Sequence, residues 1–196
     1  MRYARILALF ASMSLPACLN EEETKETGTA ELSPAPSLHL FIDDTFTADE
    51  AADVQRAADA WNARTTRRII TVTNADAWRT AHPDGQLWTV MKAQVPSDHC
   101  GRSDNARRLI RLDPECGSDR VYATTLHELG HALGLGHLCD ASWNYEGEAP
   151  SGRVCDPGHP LGVMDPSDGW WDGTGYRYVE FSDDDMVECR RVGACE

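Results

Sequence analysis

Residues 127–137 read His127-Glu128-Leu129-Gly130-His131-Ala132-Leu133-Gly134-Leu135-Gly136-His137. His127 and His131 stand four apart, so on a helix both imidazoles leave the same face, one turn from each other. That spacing suits two ligands on one metal ion. A helix is expected from about Asp119, with Leu126, Leu129 and Leu133 facing away from the histidines. Gly134 can take the left-handed conformation that ends a helix. Only after such a turn can His137 swing back as a third ligand. Three neutral nitrogens on a zinc ion leave a fourth position open, which is the pattern of a catalytic site and not of a structural one. Glu128, beside a ligand, is placed to take a proton from a water molecule without coordinating the metal.

The chain around this stretch has 196 residues, with 32 Asp+Glu against 18 Lys+Arg and a net charge of −14. The acidic balance excludes a phosphate-binding surface, which needs clustered Lys and Arg, so no nucleic-acid partner is expected. Hydrophobic residues at 41% suffice for a core. Seven cysteines are an odd number for a disulfide framework. The first residues offer an explanation. Arg2 and Arg5 precede a short apolar run, Ile6 to Leu15, which is below the ~20 residues of a membrane-spanning helix. Leu15-Pro16-Ala17-Cys18 then resembles the bacterial lipobox, whose cysteine is acylated and becomes the new N-terminus. The expectation is a signal peptide over 1–17, an acidic disordered tether over 18–36 and a catalytic domain over 37–196. Removing 1–17 takes away two arginines and no acid, so the charge falls from −14 to −16. By resemblance to lipoprotein sorting in Gram-negative bacteria, Leu19 after the lipid cysteine implies the outer membrane. The chain would be held to a bilayer of the bacterial envelope through Cys18, as a monomer.

Six cysteines remain: Cys100, Cys116, Cys139, Cys155, Cys189 and Cys195. In an exported chain they predict three disulfides. Six allow fifteen pairings; sequential pairing closes the shortest loops and is the expectation here. A cysteine-based zinc site would need a Cys-x-x-Cys pair, and none is present.

Strands are read at Ser37–Asp43, Ile69–Thr73, Leu87–Val95 and Arg108–Leu112 from β-branched and apolar content. Thr47-Ala48-Asp49-Glu50 is a capping box that opens a helix, and Val54, Ala58 and Trp61 form its apolar stripe. Ser182 followed by three acids opens another helix, with Arg190 and Arg191 at its end.

On the zinc motif the sequence resembles a metzincin metalloprotease, and most closely a matrixin. Gly162-Val163-Met164-Asp165-Pro166 resembles the methionine turn that lies beneath the zinc in that family, and the Ser182 helix resembles its C-terminal helix. The resemblance implies an α/β (α+β) zincin domain. Its parts would be a twisted mixed sheet, an N-terminal helix, an active-site helix and a C-terminal helix. It also implies one catalytic Zn²⁺ on His127, His131 and His137, with Glu128 as general base and Met164 in the turn. The activity implied is endopeptidase hydrolysis of a protein or peptide lying along an edge strand, for which Leu87–Val95 is the candidate. Trp170 and Trp171 are candidates for lining the pocket beyond the scissile bond, with simple packing the equal alternative. A non-catalytic zinc-binding surface lipoprotein is the alternative function, although such a protein would be expected to lack Glu128. Departures from the family are Leu138 after the third histidine, the long stretch from 137 to 164, and Pro166 where some clans place a tyrosine ligand. His82, Asp84 and His99 resemble a second zinc site only loosely, and Asp113 with Glu115 a Ca²⁺ site. Their spacing fits poorly, and loop histidines and turn acids are the plainer reading. Cys100-Gly101 superficially resembles a zymogen cysteine, but a disulfide is the expectation.

Overall fold

The computed structural model describes residues 37–95, 99–139, 162–165, 170–171, 176–177 and 180–196. The expected signal peptide, tether and Cys18 lie outside these residues, as does Cys155. Among the described residues no helix is long and apolar enough to cross a membrane.

Strand β1 (Leu38–Ile42) leads into helix α1 (Ala48–Asn62) through the predicted capping box. Glu50 Oε2 accepts from the Thr47 amide at 2.9 Å, and the Glu50 amide donates to Thr47 Oγ1 at 3.4 Å. The other carboxylate oxygen takes Lys92 Nζ at 2.8 Å, which ties the start of α1 to the end of strand β3 (Leu87–Lys92). That ammonium, then the Thr47 amide, hold the Glu50 carboxyl below its usual range. Strand β2 (Ile69–Val72) follows α1, and helix α2 (Ala75–Ala81) follows β2. Strands β4 (Gly101–Asp104) and β5 (Leu109–Leu112) form a hairpin before helix α3 (Val121–Leu133). Helix α4 (Asp183–Arg191) is the last described element, preceded by the short pair β6 (Trp170–Trp171) and β7 (Tyr176–Arg177).

The five-stranded sheet has the order β2-β1-β3-β5-β4. Every pairing is parallel except β4 with β5, where Gly101 faces Leu112 and Asp104 faces Leu109. The mixed sheet and the three expected helices are therefore present. The edge strand is not where the sequence put it. Strand β3 is paired on both sides, with β1 and β5, so Leu87–Val95 offers no free edge. The edge beside α3 is β4. Its sequence, Gly-Arg-Ser-Asp, carries no apolar alternation because an edge strand need not bury either face fully.

Helices α1 and α3 pack against one another and share one core with the sheet, built on Leu38, Leu40, Val54, Trp61, Val90, Ile110, Leu129 and Leu133. Trp61 Nε1 donates to the Leu126 carbonyl at 2.7 Å, fixing α1 against the middle of α3. Disulfides join Cys100 to Cys116 and Cys189 to Cys195, as sequential pairing expects. The first staples the start of β4 to the turn before α3, so Cys100 is not available as a zymogen cysteine. Cys139 is disulfide-bonded as well.

Candidate metal centre

Helix α3 starts at Val121, after a 3₁₀ turn over Ser118–Arg120, and is buried along nearly its whole length. It ends where the sequence predicts. Gly134 has φ +100°, which an L side chain rarely tolerates. Its amide donates to His131 O, and Leu135 N donates to Gly130 O, each at 2.9 Å. This reversal carries the chain back along the helix and brings His137 beside the other two histidines.

The three Nε2 atoms form a compact triangle. His127 and His131 are 3.1 Å apart, His127 and His137 3.2 Å, and His131 and His137 3.0 Å. They are the only group of three or more His, Cys, Asp or Glu gathered closely enough for a metal among the described residues. Two of the rings have defined tautomers. His127 Nδ1 lies 2.7 Å from Val163 O, and His131 Nδ1 lies 2.9 Å from Leu135 O. A carbonyl oxygen only accepts, so both Nδ1 atoms carry the proton and both Nε2 atoms present a lone pair. Lone pairs at 3.1 Å repel unless a cation lies among them. Tetrahedral zinc with bonds of ~2.0–2.1 Å sets its nitrogens about 3.3–3.4 Å apart. The donor set therefore fits the ion to within a few tenths of an ångström. Burial, then the nearby imidazoles of His127, His131 and His99, push His137 down to about 2. Burial likewise lowers His127, against the Val163 carbonyl and the charges of Asp165 and Asp185. Both are held neutral, the form a metal requires.

Met164 lies directly against the helix. It is fully buried, and a Cβ at residue 130 would overlap its Sδ, so glycine at 130 makes the notch into which the methionine fits. The Met164 segment is gripped from α4. Asp185 Oδ2 accepts from the Val163 amide and Oδ1 from the Met164 amide, both at 2.9 Å. The same carboxylate closes a capping box with Ser182. The line from Asp185 through the Val163 peptide to His127 Nδ1 fixes the orientation of the first imidazole. Second contacts of this kind hold ligand rings in place and tune their basicity.

Glu128 is buried, at 5% exposure. A Cβ on Gly101 would lie 2.8 Å from Glu128 Oε1, so the β4 edge begins immediately over this carboxylate. Asn105, just past β4, donates to His131 O at 3.3 Å and ties the hairpin to the end of α3.

The secondary metal groupings do not form. Asp113 accepts the Glu115 and Val95 amides, each at 2.9 Å, and caps a turn. His82 stacks on Trp78, with ring centroids 4.6 Å apart. His99 is not part of the three-histidine group. The side chains of Trp170 and Trp171 lie outside the described residues. Sequence reading missed the roles of Asp185, Glu188 and Asn105. Asp185 reads in the sequence as one more first-turn acid, and the signal for Glu188 is its place beside Cys189 on the inward face of α4.

No family profile matches the chain. It is 25% identical to Protein SpAN of Strongylocentrotus purpuratus over 97 residues, which is 50% of this chain and 15% of that protein. The chain thus corresponds to a small part of that relative's length. Its structure is similar to High choriolytic enzyme 1, a hatching enzyme zinc-protease from Oryzias latipes. There the TM-score is 0.46 and the identity 18%, covering 81% of this chain and 90% of the other. It is also similar to two structures of myroilysin. One has a TM-score of 0.50 at 12% identity, covering 83% of this chain and 95% of that one. The other has 0.51 at 13%, covering 84% and 86%. At such identities what this chain shares with myroilysin is the fold.

Proposed function

We propose that the protein is a zinc-dependent endopeptidase. The observation that carries this reading is the triangle of Nε2 atoms, with two of the three rings tautomer-fixed, beside the buried carboxylate of Glu128 and beneath an edge strand. His127, His131 and His137 would hold the ion. Bound there, zinc supplies Lewis-acid polarisation of the scissile carbonyl and acidifies water at the site. The chain's own contributions follow from the geometry. The outer edge of β4 offers backbone donors and acceptors to an extended peptide, the usual strand-addition mode. Glu128 takes the proton of the attacking water and delivers it to the leaving amine. Val163 O and Leu135 O keep the ligand rings from turning as charge builds up.

The test is digestion of a diverse peptide library by the purified full chain. Cleavage is expected to vanish with a zinc chelator and to return when Zn²⁺ is restored. Cleavage indifferent to the chelator would defeat the reading. Zinc uptake without cleavage would favour a binding module of the same fold. We further propose that the chain is exported and anchored through acylated Cys18, on the strength of Leu15-Pro16-Ala17-Cys18. Mass spectrometry of the mature N-terminus should find a diacylated cysteine; an unmodified terminus elsewhere would remove the anchor.

A further inference from the structure

Helix α4 carries a second inward carboxylate one turn after Asp185. Glu188 is 6% exposed, and its Oε1 accepts from the Gly136 amide at 3.2 Å, 52 residues away in sequence. Arg191, exposed over more than half of its side chain, grips the same carboxylate in a fork, with Nε on Oε2 at 2.6 Å and Nη2 on Oε1 at 2.5 Å. Gly136 immediately precedes His137. On the other side of that histidine, Leu138 N donates to Met164 O at 3.0 Å. The third histidine is thus bracketed by two hydrogen bonds donated by backbone amides, one ending on the methionine turn and one on the Glu188 carboxylate of α4. The segment needs such a bracket. Gly134-Leu135-Gly136 follows the helix end and has two glycines in three residues, so its backbone would otherwise sample many conformations.

We propose that Glu188, held in place by Arg191, is a positioning residue that latches the Gly136 amide and so sets His137 toward His127 and His131. This rests on the metal centre described above. The acceptor is well suited to the work. The Arg191 fork keeps the carboxyl below its usual range, so it stays ionised and accepts strongly from the amide. Asp185, three residues earlier, fixes the same helix to the methionine turn, so the latch closes from a support that is itself held. One short helix therefore governs two of the three ligands through two different carboxylates.

The experiment is zinc affinity of the purified full chain, by competition with a chromophoric chelator, together with the melting temperature of the chelator-treated protein. Glu188→Ala should weaken zinc binding by about 10–100-fold, the range for lost outer contacts to a ligand. Glu188→Gln keeps an oxygen for Gly136 but loses the charged fork, and should fall between Ala and wild type. Arg191→Met lies at the surface and should weaken binding several-fold. If Glu188→Ala does not fold, Arg191→Met and Glu188→Gln decide the matter in the same way. Variants that melt lower without zinc yet bind it as tightly as wild type would overturn the latch and leave only a structural role. A wild-type chain that takes up no zinc would instead overturn the metal centre, and the latch with it.

Discussion

Glu128→Gln is expected to lower kcat/KM for peptide cleavage by about 10²–10⁴-fold, the range for loss of a positioned general base. At 1.36 kcal/mol per tenfold this is about 3–5 kcal/mol of transition-state stabilisation. Glutamine has the same shape, so the carboxamide fits the buried space under Gly101. It cannot accept a proton. The loss should fall on kcat, with KM close to wild type, because Glu128 acts on the water and not on the bound peptide. Zinc content should be unchanged, since the proposed ligand set is the three imidazoles and does not include Glu128. Glu128→Asp keeps the base but withdraws it by one methylene, and should retain part of the activity. The measurement is steady-state kinetics on one peptide found in the library digestion, with metal analysis of each variant. A Gln variant that turns over at the wild-type rate would remove Glu128 from the chemistry and require another base.

What could be read from the sequence is what lies close along it. The histidine triad spans eleven residues and needs only helix periodicity and one left-handed glycine, so its geometry follows from local rules. The capping box at Thr47 and the N-cap at Ser182 are equally local. What escaped is non-local or lacks a hydrophobic signature. Strand β4 is polar and four residues long, and it is recognised only by its pairing with β5. Helix α2 spans seven residues; its Asn74 cap is clear only once the structure is known. The three acids 183–185 all look like first-turn acids stabilising a helix N-terminus. The structure separates them. Asp183 is exposed, while Asp185 points inward to amides more than twenty residues away. A carboxylate that caps its own helix and also binds a distant turn cannot be told apart, in sequence, from one that only caps.

Asp185→Ala is expected to have the largest effect on stability of any single polar substitution in the centre. Asp185 is fully buried and accepts from Val163 N, Met164 N, Ser182 N and Ser182 Oγ. Alanine leaves the Val163 and Met164 amides in the interior with no acceptor. Each such donor costs about 1–3 kcal/mol, so the pair costs about 2–6 kcal/mol before the helix cap is counted. For a chain of this size each kcal/mol moves the melting temperature by about 2–4 °C, and the drop should be on the order of 10 °C. Asparagine should be nearly as harmful. Its single oxygen can serve one position, and its NH₂ would then face an amide N–H that itself donates. The measurement is thermal unfolding in excess chelator, so that weaker zinc binding does not contribute to the shift. Zinc affinity measured separately should also fall, because Val163 O would no longer be held against His127 Nδ1. An alanine variant that melts within a degree or two of wild type would show that the methionine turn holds itself, and that Asp185 does no more than cap its helix.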